Sequence, residues 1–179
     1  MTPALLSPPR LRELELPNRI VVSPMCQYSA VDGCATDWHL VHLGQYAVSG
    51  VGLTIIEATH VERRGRISRG CMGLYPDENE AALVRVVDFF RRHGHARLGI
   101  QISHSGRKGS ARRPWEGRGE ALTAGEDAWG TVSASDLPFD EGWPQPAVLD
   151  ADGMAAVREA FAQSTRRAAR LGFDLVEIY

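Results

Sequence analysis

The chain is 179 residues long, 44% hydrophobic and 23% charged, with a formal net charge of −2. That is the balance of an ordinary globular domain with a core of its own. It excludes the basic footprint of a nucleic-acid-binding protein, because the arginines are scattered among acidic neighbours.

The N-terminal stretch, Met1 to Arg12, carries prolines and charges and lacks the apolar centre of a signal peptide. No run reaches the apolar length that a membrane helix needs. Cys26, Cys34 and Cys71 form an odd set without a Cys-x-x-Cys pair. That suits neither a disulfide framework nor a zinc site, and it points to a reducing, cytoplasmic setting.

Ile20-Val21-Val22 is the first short β-branched run, and Ser23-Pro24-Met25-Cys26-Gln27-Tyr28 follows it. At a strand C-terminus this segment offers backbone N–H groups, a thiol and a phenol. A thiol beside a bound ring tunes its electronics, and a phenol donates a hydrogen bond to a substrate. Taken alone, Cys26 reads as a small buried residue beside a turn proline. Asp37 then opens a helix carrying Leu40, Leu43 and Ala47 before Gly50. His39 and His42 have a spacing that a metal site could use, but no acidic or cysteine partner stands out and they read as helix-packing residues.

Leu53 to Thr59 is the second strand, ending in Glu57 and Thr59. Asp77 precedes the helical series Leu83, Val86, Val87 and Phe90, with Glu80 placed as in a capping box. Arg91, Arg92 and His93 occupy its last turn and Gly94 ends it. The third strand, Leu98 to Ser103, carries Gln101, whose amide donates and accepts in one plane. Gln101 reads either as a ligand for a heterocycle edge or as a core glutamine. His104 leads into Gly106-Arg107-Lys108, a turn that could meet an anion and that alone reads as a solvated basic loop.

Residues 105–149 break the rhythm. They are rich in Gly, Pro, Ser and charge and contain Trp115, Trp129 and Trp143. A stretch of that length reads as a functional excursion, with a small hairpin expected near Glu120 to Ser133. A helix from Asp152 to Leu171 follows, with Met154, Val157, Phe161, Ala168 and Leu171 as its stripe and Gly172 as its stop. Leu175 to Tyr179 is the fourth strand.

Short runs buried on both faces, alternating with helices, predict an α/β fold with a parallel sheet. A Rossmann fold would want a Gly-rich turn after the first strand, and Ser23-Pro24-Met25-Cys26 has no glycine. Polar groups gathered at successive strand C-termini favour a (β/α)8 TIM barrel. The expected four strands and three helices are half of such a barrel, which takes ~250 residues when closed. The fourth strand is then expected to leave an open edge, in a truncated chain or in one that borrows a second half.

Together these segments resemble the old yellow enzyme family of flavin-dependent ene-reductases, in particular the bacterial NADPH dehydrogenases and xenobiotic reductases with a cysteine near the flavin. The resemblance rests on Leu16 to Ile20, Ser23 to Tyr28, Thr36 to His42, Glu57 to Thr59, Gly65 to Ile67 and Gln101 to Lys108. It continues through Pro138 to Trp143, Gly172 to Asp174 and Val176 to Ile178, and so runs essentially the length of the sequence. It implies the N-terminal half of an FMN-binding TIM barrel over residues 1–179, with no metal. Ser23, Pro24, Met25 and Cys26 would line the flavin, with Cys26 tuning its potential. Ala58 would contact the ring, and Gln101 its pyrimidine side. Tyr28 would face the substrate, with Arg107 and Lys108 contributing contacts. The implied reaction is hydride transfer from NADPH (or NADH) to FMN and then to an activated, enone-like alkene, a small-molecule substrate.

The sequence also departs from the family. A His-x-x-His or His-x-x-Asn pair ends the family's fourth strand, and Tyr179 stands at its first position here. The second member and the tyrosine proton donor have no counterpart. An inactive fragment, a homodimer, or a half needing a complementing C-terminal half are the alternatives.

Overall fold

Each predicted helix forms, and each is set by its ends. The computed structural model describes residues 3–179. Helix α1 (Asp37–Val48) starts where the Thr36 N–H donates to Nδ1 of His39 at 3.0 Å. Helix α2 (Asp77–His93) has Asp77, Glu78 and Glu80 in its first turn and Arg91, Arg92 and His93 in its last, which suits the helix dipole. The expected capping box is absent, because Pro76 is the N-cap and Asp77 already lies inside the helix. Glu80 instead reaches α3 (Ala151–Leu171), pairing with Arg167 at 2.6 Å and Arg170 at 2.8 Å. Helix α3 is capped by Asp150, whose carboxylate accepts from the Gly153 N–H at 2.8 Å, and is ended by Gly172 at φ +88°.

Among the described residues, eight strands accompany these helices. A small antiparallel pair, β1 (Arg10–Leu11) and β2 (Leu14–Glu15), precedes the sheet and turns at Arg12, φ +53°. No glycine marks that turn in the sequence. The Arg97 guanidinium donates to the Glu15 carbonyl, which fastens the pair to the N-terminal end of the sheet. The main sheet is formed by β3 (Val21–Val22), β4 (Leu53–His60), β5 (Arg97–Ser103) and β8 (Leu175–Ile178). All its pairings are parallel, and the spatial order β3-β4-β5-β8 is the chain order. A doubly wound sheet reverses its strand order at a switch point, whereas a barrel runs in sequence, so this arc has the barrel's topology.

The core lies between the sheet and the helices. Ile56, Leu98, Ile100 and Ile102 from the strands meet Leu83, Val86 and Phe90 from α2, with Ala47 of α1 and Ala168 of α3. The period of two along a strand sends Gly99 and Gln101 to the other, concave face. A side chain at Gly99 would meet Ile55 and Leu175 there. Among the described residues, no helix is long and apolar enough to cross a membrane.

The excursion at 105–149 folds differently from expectation. Instead of a hairpin at Glu120 to Ser133, β6 (Val132–Ser133) runs parallel to β7 (Ala147–Val148), and Ala121 bridges back to Ala111. The reason is long-range. Arg112 holds Glu126 at 2.6 Å and Glu120 at 3.2 Å, and Glu126 also accepts from the Thr123 hydroxyl at 2.7 Å. These bonds wind residues 124–126 into a single 3-10 turn within the stretch where a hairpin was expected.

Candidate functional site

The site is built where β3, β4 and β5 end. Ile56 pairs with Ile100 and Thr59 with Ile102, so Glu57 and Ala58 together oppose the single Gln101. Such a bulge bends the strand and re-aims its backbone, and bulges concentrate beside functional sites. It brings the Ala58 backbone beside the loop that leaves β3, where it acts to lower the pKa of the Cys26 thiol.

Glu57, which the sequence marked only as a polar strand end, organises that loop. It is 3% exposed; one oxygen accepts from the Gln27 N–H at 2.9 Å and the other lies 3.3 Å from Nε2 of His39. A buried carboxylate is costly unless it is hydrogen-bonded or paired, and this one joins three segments at once. His39 is therefore more than helix packing, since one ring nitrogen caps α1 and the other faces Glu57. His42 takes no part in this and packs edge-on against Tyr46 at 5.3 Å.

Cys26 is half-buried. Burial pushes its thiol up to about 12, Cys71 and Glu57 push the same way, and the Ala58 backbone pulls against them. At neutral pH it is a thiol, able to donate and accept hydrogen bonds without acting as a thiolate nucleophile. Tyr28 is also pushed up to about 12, first by burial and then by its neighbours Cys26, Cys71 and Glu57. Its hydroxyl therefore keeps its proton. The Tyr28 backbone sits at φ +52°, in the left-handed region that side-chain-bearing residues seldom adopt. Gly70 makes room for that turn, since a Cβ there would run into the Tyr28 carbonyl.

Tyr28 and Lys108 line one pocket of about 360 Å³, together with Ile67, Arg112, Phe139 and Trp143. The Tyr28 ring meets Trp115 edge-on at 5.9 Å, and the Lys108 ammonium stands 5.8 Å from the Phe139 ring centre. The excursion thus folds over the end of the sheet and supplies most of the aromatic wall. Arg107 is directed elsewhere. Its guanidinium donates to the Ser133 and Ser135 hydroxyls at 3.1 and 3.0 Å and to the Leu137 carbonyl at 2.9 Å, and so fastens the excursion. Gln101 is buried on the concave face and donates to Glu177 of β8 at 3.1 Å, which uses one of its two N–H donors. Ser23 and Met25 lie in the loop beside Val22, Ile55 and Glu57, with Pro24 between them.

Comparison with known proteins gives the chain a family. The model of the NADH:flavin oxidoreductase / NADH oxidase family matches residues 4–179. An NADPH dehydrogenase of Listeria monocytogenes is 41% identical over 177 residues, covering 98% of this chain and 47% of that protein. An NADPH dehydrogenase of Geobacillus thermodenitrificans is 38% identical over 181 residues, covering 100% of this chain and 48% of that protein. An NADH:flavin oxidoreductase of Gibberella zeae is 36% identical, with 98% and 43% covered. The structure of morphinone reductase in complex with tetrahydroNAD superposes with a TM-score of 0.80 at 28% identity, over 99% of this chain and 49% of that one. The chain spans about half the length of the curated relatives it matches. With a family model matched over nearly all its residues, the chain belongs to the NADH:flavin oxidoreductase / NADH oxidase family.

Proposed function

We propose that residues 1–179 contribute the flavin-facing half of an FMN-dependent NAD(P)H oxidoreductase of ene-reductase type, working in a reducing, cytoplasmic setting. The observation that carries this reading is the meeting of the Ser23 to Cys26 loop, the Glu57–Ala58 bulge and the Gln101 amide at neighbouring strand ends. Those groups fit a flavin. Gln101 keeps donor and acceptor capacity on the concave face, suited to a pyrimidine edge, and Ala58 is small enough to let a ring approach its backbone. Bound FMN would supply hydride transfer between the nicotinamide and an activated alkene.

The chain's own residues hold and tune. Ser23, Pro24 and Met25 would form the wall beside the ring, with Cys26 presenting a neutral thiol to it. Tyr28 and Lys108 would meet the substrate in the aromatic pocket, Tyr28 through a protonated hydroxyl and Lys108 through its charge. Arg107 would act indirectly, by fixing the excursion that carries Phe139 and Trp143. Further strands, from a longer polypeptide, a complementing half or a second copy, would pair with the free edge of β8. That edge exposes Ile178 and Tyr179, at 72% and 79%.

The test is the visible spectrum of the purified chain after incubation with FMN and desalting. Retained flavin absorbance that bleaches anaerobically with NADPH is the expected result, with Gln101→Leu lowering FMN affinity about tenfold, as loss of a hydrogen-bonding edge would. A wild-type chain that retains no flavin, alone or mixed with the C-terminal half of a relative, would refute the reading.

A further inference from the structure

A second and larger pocket, of about 640 Å³, lies behind the one that holds Tyr28. The wall between them is made of two segments. The Ala111 N–H donates to the Ile67 carbonyl at 2.8 Å, and Ser68 pairs with Ala111. Ile67, Ala111 and Arg112 line the Tyr28 pocket, whereas Arg66 and Arg113 line the other.

Five arginines line this second pocket: Arg63, Arg64, Arg66, Arg69 and Arg113. Their carboxylate partners are too few. Asp32 is shared by Arg63 at 2.6 Å and Arg66 at 3.4 Å. Glu116 is shared by Arg69 at 3.5 Å and Arg113 at 3.7 Å. Glu62 serves Arg64 and His104 together. Asp127 also lines the pocket and leaves the positive charge in excess.

Packing fixes part of this cluster in place. Nε of Arg113 is buried against Gly70, which seats that side chain in the wall. Arg66 is 4% exposed and stands 5.6 Å from the Trp129 ring centre, so one guanidinium is fixed within the wall. Guanidinium groups are suited to oxyanions because their N–H donors match phosphate geometry in pairs. Ala30, Val31, Leu122 and Trp129 give the rest of the pocket an apolar surface. A bare inorganic ion would leave that surface wet.

We propose that this pocket binds a small organic phosphate, its phosphoryl group among the arginines and its apolar part against Leu122 and Trp129, at a site separate from the Tyr28 pocket. The site does not depend on the flavin reading, and its failure would leave that reading untouched.

Isothermal titration of the purified chain with phenyl phosphate and with inorganic phosphate, at low salt, tests it. Saturable binding of both is expected, with phenyl phosphate the tighter. Arg63→Gln combined with Arg69→Gln changes two partly exposed side chains, so the fold should survive, as circular dichroism would verify. Affinity for both probes should then fall about tenfold or more. Lys108→Gln, on the far side of the wall, should leave it unchanged. No saturable heat, equal affinity for the two probes, or an unaltered affinity in the double variant would overturn the proposal. So would an equal loss in Lys108→Gln, since that would place the phosphate with Tyr28.

Discussion

His60 ends β4 fully buried, and burial lowers its pKa to about 3, with the nearby charges of His104 and Arg66 acting in the same direction. Its effect on stability has a definite sign. Below the ordinary histidine range the unfolded chain takes up a proton that the folded chain refuses, until the pH falls to about 3. Stability therefore drops with falling pH across that window, by about 1.4 kcal/mol per unit from this residue. Glu62 acts in a lower range. Its pKa is lowered chiefly by the His104 hydrogen bond, so its contribution is present above the usual carboxylate range and disappears as pH falls through the lowered value. Urea unfolding at pH 7 and pH 5 hence separates the two, and His60→Leu should lose less stability between those values than the parent chain. An identical loss in both would mean that His60 is not the buried neutral group.

Helix α2 shows how far an element can be read before its neighbours are known. Its apolar series predicts the buried face, and Leu83, Val86, Val87 and Phe90 are all buried in the core. Phe90→Ala should therefore cost about 3–5 kcal/mol, read as a lower urea midpoint, because the sheet and α3 cannot collapse into the space it leaves. A cost below about 1 kcal/mol would put Phe90 outside the core. Its C-terminal end was legible as well, in Arg91 to His93 and Gly94, but its first turn was not. Asp77 and Glu80 have capping-box spacing, yet Glu80 turns to Arg167 and Arg170, 87 and 90 residues away, and no local pattern announces such partners. Residues 120–133 misled for the same reason, since Arg112 and β7 decide their course. Arg107 and Lys108 are adjacent in sequence and look alike there. Only the position of Ser133, Ser135 and Leu137 separates a fastening residue from one that lines the pocket. Glu57 stood at a strand end as expected, but its part in holding Gln27 depends on a bulge that alternation of side chains does not reveal.

In the whole molecule, the sheet has two outer strands, β3 and β8, each paired on one side only. Unpaired backbone groups on an edge recruit another strand, and β8 adds the exposed side chain of Ile178 beside them. Self-association through that edge is the expected behaviour of the isolated chain, and sedimentation velocity should show it. Ile178→Lys places a charge on the edge and should shift the distribution towards monomer. A parent chain that is already monomeric at the same concentration would mean that the edge is covered from within.

The chain-order arrangement of the main sheet bears on how the molecule is made. Each of its pairings joins a strand to the one formed just before it, and none waits for a later strand to be inserted between them. A polypeptide emerging from the ribosome can therefore lay down β3, β4, β5 and β8 in the order of translation, with α1, α2 and α3 closing over the sheet in turn. Assembly grows outward at one edge, and nothing already paired has to be taken apart to continue it.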